Sequence, residues 1–166
     1  MRVTLQPVWT GVLFFAALGS SLISGVFFAF STFVMRALAR LPAPQGIAAM
    51  QSINITAINP LFMGVFFGTA ALSIILMIAF WTRWREPAIL CLFLGSLLYL
   101  VGVLLVTIVF NVPRNDALAP LDPHSAEAAS LWSRYVSEWT AWNHVRTVAA
   151  LAAAAAFVMA LRTSSH

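Results

Sequence analysis

The stretch AILCLFLGSLLYLVGVLLVTIVF, residues 88–110, decides the fold. Its 23 residues carry no charged side chain, and about 20 apolar residues are enough to cross a bilayer as an α-helix. The whole chain has the same character, since 61% of its 166 residues are hydrophobic and only 8% are charged. A soluble domain has roughly 25% charged residues. The sequence therefore predicts an integral membrane protein.

Three other stretches have the length and composition of membrane spans, namely residues 8–35, 58–81 and 145–161. Together with residues 88–110 they predict an all-α transmembrane four-helix bundle that forms a single membrane domain over residues 1–166. An even number of spans leaves both termini on the same side of the membrane. We expect a multi-pass protein of the bacterial inner membrane, and the even division of arginines between the two ends leaves its orientation open.

The charge pattern argues against a nucleic-acid partner. The formal net charge of +4 comes from nine arginines without any lysine. These arginines are spread singly along the chain, whereas nucleic-acid-binding proteins cluster them on one face. The expected partner is the lipid bilayer, and the sequence leaves the oligomeric state open. The single cysteine, Cys91, excludes an internal disulfide.

The connections between the spans predict two further helical segments. Residues 45–54 follow a proline-rich turn and indicate a short interfacial helix after the first span. In the third connection, Asp122 and Pro123 have the pattern of an N-cap followed by proline at the first helical position. An amphipathic helix is expected to continue from there into the fourth span. A straight helix of this length would project about 30 Å beyond the membrane core, so we expect it to bend back over the bundle.

This last helix carries a stripe of large side chains at steps of three and four residues. The stripe consists of Trp132, Tyr135, Trp139, Trp142 and Arg146. Tryptophan and tyrosine favour the headgroup level of a membrane, so interfacial anchoring is one interpretation of the stripe. The wall of a binding pocket is the other.

Small residues predict where the spans approach one another closely, since lipid provides no hydrophobic drive between helices. Gly64 and Gly68 form a GxxxG motif in the second span, and Gly25 lies four residues before Ala29 in the first span. Gly95 and Gly102 lie seven residues apart in the third span. We expect all of these positions to serve helix packing.

Polar side chains concentrate at one end of the predicted bundle. In an up-and-down arrangement, the end of span one, the start of span two, the end of span three and the start of span four share one membrane face. That face receives Ser31, Thr32, Gln51, Asn54, Asn59, Asn111, Arg114, Asn115, Asp116, Asn143, His144, Arg146 and Thr147. A charge at the bilayer centre costs about 2.5 kcal/mol or more. Arg146 should therefore face the bundle interior, pair with Asp116 or Glu138, or extend to the interface.

Five segments of the chain together resemble the anthrone oxygenase family. They are GVFFAF at residues 25–30, AMQSIN at 49–54, NP at 59–60, NVPRNDAL at 111–118 and WTAWNHVRT at 139–147. The family comprises small four-span membrane proteins. Its characterised fungal members oxidise anthrones to anthraquinones in polyketide pathways without an evident organic cofactor. The resemblance implies a membrane monooxygenase that acts on a hydrophobic anthrone or phenolic ring with dioxygen.

Such a reaction needs a base for the acidic ring-methylene proton, donors for the enolate oxygen and a dry aromatic pocket. His144 is the first candidate base, because histidines ordinarily titrate near neutral pH, and Asp116 is the second. Each has a plainer alternative, as an interfacial histidine and as a turn residue. Asn143 and Arg146 are the predicted enolate donors. The expected substrate-binding residues are Trp139, Trp142, Asn111, Asn115, Asn54 and Asn59.

Two further expectations complete the prediction. No helix carries an HxxxH or ExxH pair, so the sequence predicts neither a zinc site nor a di-iron bundle. The alternative function is a non-enzymatic membrane bundle that binds a lipid or a small hydrophobic molecule. Such a protein would need the tryptophans but would have no need of a base.

Overall fold

The computed structural model describes residues 6–164, and within that range the chain is helical without any strand. Its main elements are α1 (Pro7–Arg40), α2 (Ala43–Thr56), α3 (Pro60–Ala79), α4 (Pro87–Leu118) and α5 (Ala126–Ser164). Four of them, α1, α3, α4 and α5, are long and apolar enough to cross a membrane. The predicted all-α bundle with four helices able to cross a membrane is confirmed, and α2 is the short helix expected after the first span. Both chain termini lie outside the described residues. So does Arg2, one of the arginines counted in the comparison between the two ends.

Proline and small polar residues set the helix boundaries. A proline occupies the first turn of α1, α3 and α4, where the missing amide hydrogen has no helical partner to lose. Asn59 caps α3 by accepting a hydrogen bond from the Phe62 amide at 3.0 Å. The helix α5 begins three residues later than predicted. The Asp122 carboxylate accepts from the His124 amide within the loop, and Ser125 accepts from the Ala128 amide instead.

The helices differ in length, and the excess lies at one end. The helix α3 has 20 residues, close to the thickness of a bilayer core, whereas α5 has 39 and would extend about 58 Å. The first part of α5 packs with α2 and with the ends of α1 and α4. These parts form a second apolar cluster, called the head: Met35, Leu38, Ile47, Met50, Leu118, Ala128, Trp132, Tyr135 and Trp139.

The expected bend of α5 over the bundle is wrong. One helix runs from Ala126 to Ser164. The α2 helix and the ends of α1 and α4 pack against its first part. Trp132 and Tyr135 are consequently buried, and the Trp132 ring lies against Gly46 of α2. Both belong to the core of the head, which favours packing over interfacial anchoring for these two side chains.

Glycine packing follows the predicted pattern at only two of the five positions. A methyl group on Gly95 would lie 2.8 Å from the Phe157 ring, and one on Gly102 would collide with Ala149. These two glycines bring α4 against α5. A methyl group on Gly25, Gly64 or Gly68 would meet nothing within 4 Å, so the predicted close packing there is wrong. Spacing along a helix shows which residues share a face but not which face meets a neighbouring helix.

Candidate functional site

A buried arginine lies where the head meets the membrane-spanning part of the bundle. Arg146 of α5 is only 4% exposed. Its Nη1 donates to Thr107 Oγ1 of α4 at 3.2 Å, and its Nη2 donates to Asn143 Oδ1 at 2.7 Å. The guanidinium carbon lies 4.2 Å from the centre of the Phe27 ring and 5.0 Å from that of Trp139. Neutral oxygens and aromatic faces therefore surround the positive charge.

Arg146 has no carboxylate partner in the part of the chain that the structure describes. Three ion pairs occur there, and none of them includes this arginine. Its Nε also lacks a hydrogen-bond partner. Of the three positions that the sequence allowed for Arg146, the structure has the one inside the bundle. A buried cation without a counter-ion is costly to maintain, and an ionisable side chain at such a position in a membrane protein is a functional candidate by default.

Asn143 ties this arginine to α1. Its Nδ2 donates to the Phe27 carbonyl oxygen and to Ser31 Oγ, both at 2.7 Å. These two bonds leave Oδ1 directed at Arg146. Ser31 in turn lies 3.0 Å from Thr147 Oγ1. Asn143 is fully buried, so its orientation is set by the protein and not by solvent.

The helices that face Arg146 both depart from regular α-helical geometry at this level. In α1 a π-helical turn spans Phe30–Val34 and includes Ser31. In α4 a π-helical turn spans Thr107–Asn111 and so includes both Thr107 and Asn111. A π-helical turn changes the direction in which the following side chains project, and such turns are frequent at functional sites. Here they coincide with the polar groups around one cation.

A second set of polar contacts lies on the head side of the arginine. Asn115 Oδ1 accepts from the Tyr135 hydroxyl at 2.8 Å and from Trp139 Nε1 at 2.9 Å. The Trp139 indole is thereby held in place beside Arg146. Asn111 donates to the Trp139 carbonyl oxygen at 3.2 Å, while its own Oδ1 is buried without a partner. This polar atom and the Arg146 Nε are available for a bound ligand or for water.

Two of the predicted catalytic residues lie away from the cluster. His144 and Asp116 are both exposed. Neither Asp116 nor Glu138 forms the ion pair with Arg146 that the sequence offered as one possibility. Each of the two predicted catalytic residues follows an asparagine that does make interior contacts, Asn143 and Asn115, and one helical step rotates a side chain by about 100°. Adjacent positions in a motif therefore project in different directions.

The remaining predicted residues are divided between the cluster and its surroundings. Trp142 is half-buried and stacks on Phe110 with the ring centres 3.5 Å apart and 7° between the planes. Asn54 of α2 is half-buried and lies near Tyr135. Asn59 is exposed and caps α3, a local role that an asparagine preceding a proline could have indicated.

The sequence did not identify Phe27 and Thr107, which contact the cluster, and it offered Tyr135 only as part of the stripe on α5. All three belong to residue types that are ordinary in a membrane helix, so only their placement around Arg146 marks them. Over residues 6–164, no three histidine, cysteine, aspartate or glutamate side chains lie close enough together to hold a metal ion.

One protein family matches the chain in sequence. The model of that family, anthrone oxygenase, matches residues 62–156, which is more than half of the chain. The match covers most of α3, all of α4 and most of α5, and so includes Arg146 and Asn143. It does not include Phe27 and Ser31 of α1. No curated protein and no solved structure matches.

Proposed function

The chain belongs to the anthrone oxygenase family, and on that premise we propose that it is a membrane-bound oxygenase for an anthrone-like or phenolic ring. The reaction converts a ring methylene to a carbonyl group. One oxygen atom of dioxygen becomes the new carbonyl oxygen, and the other leaves as water with the two methylene hydrogens. Atoms and electrons therefore balance without an organic cofactor.

Arg146 is the observation that carries this proposal. Loss of a methylene proton from an anthrone leaves an enolate, whose negative charge rests largely on the oxygen of the former carbonyl group. Among the described residues Arg146 has no carboxylate partner, and its Nε donor is unused. Such a cation is complementary to the enolate and not to the neutral ring. Catalysis requires this kind of difference, and electrostatic interactions are strongest in a site without water.

The aromatic side chains around Arg146 suit a flat, hydrophobic substrate. Phe27 and Trp139 border the guanidinium, and the stacked pair of Trp142 and Phe110 lies one turn of α5 away. Aromatic faces of this kind pack favourably against a fused ring system. Because Arg146 is almost completely enclosed, a substrate would reach it only after the side chains that line it have moved.

The proton acceptor is the second part of the proposal. His144 remains the first candidate and Asp116 the second. Neither contacts the cluster, so each would take the proton through water. An enolate stabilised by Arg146 makes the methylene proton easier to remove, which reduces the demand on the base. Turnover that survives in Asp116→Asn but is lost in His144→Ala of normal abundance would favour the histidine, and the opposite pair of results would reject it.

The decisive experiment measures turnover directly. The purified protein in lipid nanodiscs is incubated aerobically with a panel of anthrones, and quinone absorbance and oxygen uptake are followed together. We expect one molecule of oxygen consumed for each quinone formed, and loss of both signals in Arg146→Met. Arg162→Gln is the matched control, because Arg162 lies on the same helix with an exposed side chain. Full turnover in Arg146→Met would overturn the proposed role of this arginine.

The alternative, a non-enzymatic bundle that binds a small hydrophobic molecule, is favoured by one observation. Both candidate bases lie outside the buried cluster, which a binding protein would tolerate. The same assay separates the two functions. A binder would retain an aromatic ligand, as measured by quenching of tryptophan fluorescence, and would consume no oxygen with any anthrone in the panel.

A further inference from the structure

A surface pocket of about 310 Å³ lies between α4 and α5 in the head. We call it the vestibule. Its apolar side is formed by Pro113, Ala117 and Leu131. Ligand pockets for small molecules range from roughly 300 to 1,000 Å³, so the vestibule has room for part of a fused ring system, such as one ring with its substituent.

The polar side of the vestibule carries one more positive charge than negative charge. Glu138 accepts hydrogen bonds from Arg114 and from Arg134, at 2.7 and 2.8 Å. A single carboxylate therefore serves two guanidinium groups. Arg114 is also held by a 2.6 Å hydrogen bond from its Nη1 to the Phe110 carbonyl oxygen, and 25% of its side chain is exposed. The pocket thus offers a partly exposed, oriented arginine with a net charge that suits one anionic group.

A chain of side-chain contacts links the vestibule to Arg146. Tyr135 lines the vestibule, and its hydroxyl shares Asn115 Oδ1 with the indole of Trp139. The other side of Trp139 borders the Arg146 guanidinium. The Arg146 guanidinium donates a hydrogen bond to Asn143. Asn143 lies five residues after Glu138 on α5, which corresponds to about 7.5 Å along the helix axis.

We propose that the vestibule is a binding site for the oxyanion substituent, a carboxylate or a phenolate, of a planar aromatic substrate on its way to Arg146. The inference rests on the proposed function. The incoming oxyanion takes the place of Glu138 as the partner of Arg114, because guanidinium groups pair with oxyanions in a bidentate manner. Glu138 keeps its contact with Arg134. The apolar wall of Pro113, Ala117 and Leu131 receives the ring.

The test uses two unreactive ligands that differ by one carboxylate group, anthraquinone-2-carboxylate and anthraquinone. Their binding to the protein in nanodiscs of neutral lipid is measured by tryptophan quenching, which does not depend on turnover. We expect the carboxylate to bind at least tenfold more tightly than the neutral ring. The preference should decrease as salt concentration rises, because salt screens exposed charges. Equal affinity for the two ligands would overturn the proposal.

Four variants complete the test. Arg114→Gln should remove the preference for the carboxylate, and Ala117→Phe should weaken both ligands by filling the pocket. Glu138→Gln removes the competing anion and should tighten carboxylate binding severalfold, a gain that a misfolded protein cannot produce. Arg85→Gln is the control, because Arg85 lies against Trp84 in the α3–α4 turn. An unchanged preference in Arg114→Gln, or weaker carboxylate binding in a folded Glu138→Gln, would contradict the inference.

The outcome also separates this inference from the proposed function. Carboxylate preference without oxygen uptake from any anthrone would leave the vestibule standing and reject the oxygenase. Turnover of neutral and carboxylated anthrones with the same KM would support the oxygenase and reject the vestibule.

Discussion

Arg83 and Arg146 belong to opposite ends of the bundle and have opposite surroundings. Arg83 lies in the α3–α4 turn, where its Nε and Nη2 donate to the Glu86 carboxylate at 3.0 and 2.9 Å. The hydrogen bonds to Glu86 raise the pKa of Arg83 above its ordinary value. Arg146 is enclosed by α1, α4 and α5 and is held by Thr107 and Asn143, two neutral side chains.

The difference shows which positive charge is left for a ligand. At the turn, a carboxylate and water already compensate Arg83, and such exposed pairs contribute little to stability. Around Arg146 the protein provides hydrogen-bond acceptors and aromatic faces but no negative charge among the residues described. A buried cation kept in this way lowers stability compared with an apolar side chain of similar size. We therefore expect substitutions around Arg146 to affect mainly function, and substitutions in the turn that holds Arg83 to have very little effect.

The largest effect is expected from Arg146→Met. Removal of the buried charge should reduce anthrone turnover at least 100-fold, because the enolate loses the cation that we propose to stabilise it. The thermal unfolding temperature should stay within a few degrees of the parent or rise, since the costly unpaired charge is gone. Turnover assays and thermal unfolding in nanodiscs measure the two effects. Arg83→Gln should leave turnover within twofold, and a comparable loss in both variants would remove the distinction between the two ends.

A second variant gives Arg146 a carboxylate partner, as Arg83 already has in Glu86. Thr107→Asp places a carboxylate beside the guanidinium Nη1. We expect about a tenfold loss of turnover, or about 1.4 kcal/mol of transition-state stabilisation, because the new ion pair competes with the enolate. Thr107→Asn is the matched control without charge and should lose much less. Equal kinetics for the two variants would mean that the charge of Arg146 is not used in the reaction.

Ser31→Ala tests the support that α1 provides. The substitution removes the hydroxyl that accepts from Asn143 and lies beside Thr147. Leaving the buried Asn143 amide with one partner fewer should lower the free energy of unfolding by about 1 to 2 kcal/mol. Turnover should fall only a few-fold, because Asn143 keeps its bond to the Phe27 carbonyl. Chemical unfolding in mixed micelles measures the stability, and Ser21→Ala, whose hydroxyl bonds only within α1, is the comparison.

The smallest effect is expected from Glu86→Gln. The pair with Arg83 is exposed, so its loss should change the free energy of unfolding by less than about 0.5 kcal/mol. The small difference from the parent should disappear at high salt, because salt screens exposed charges. A larger change would show that the turn contributes to the stability of the bundle.

The amino-acid sequence by itself determined the class of the fold. Long uncharged stretches can be accommodated only by crossing a membrane as helices, because the bilayer leaves no other partner for the backbone polar groups. The proline-rich turn after the first span also indicated the short helix α2. The same physics indicated that Arg146 avoids lipid, since a charge next to lipid is expensive, and left three positions open for it. These conclusions depend on composition and on spacing along one segment.

Only the tertiary structure decided what surrounds Arg146. His144 and Asp116 are neighbours in sequence of Asn143 and Asn115, but both project outward, while Phe27, Thr107 and Tyr135 come to the site or its border from three different helices. The rotation of each helix about its own axis is set by packing against the others, as at Gly95 and Gly102, and by the π-helical turns of α1 and α4. Neither effect can be read from the spacing of residues within one helix, because each depends on contacts between segments far apart in the chain.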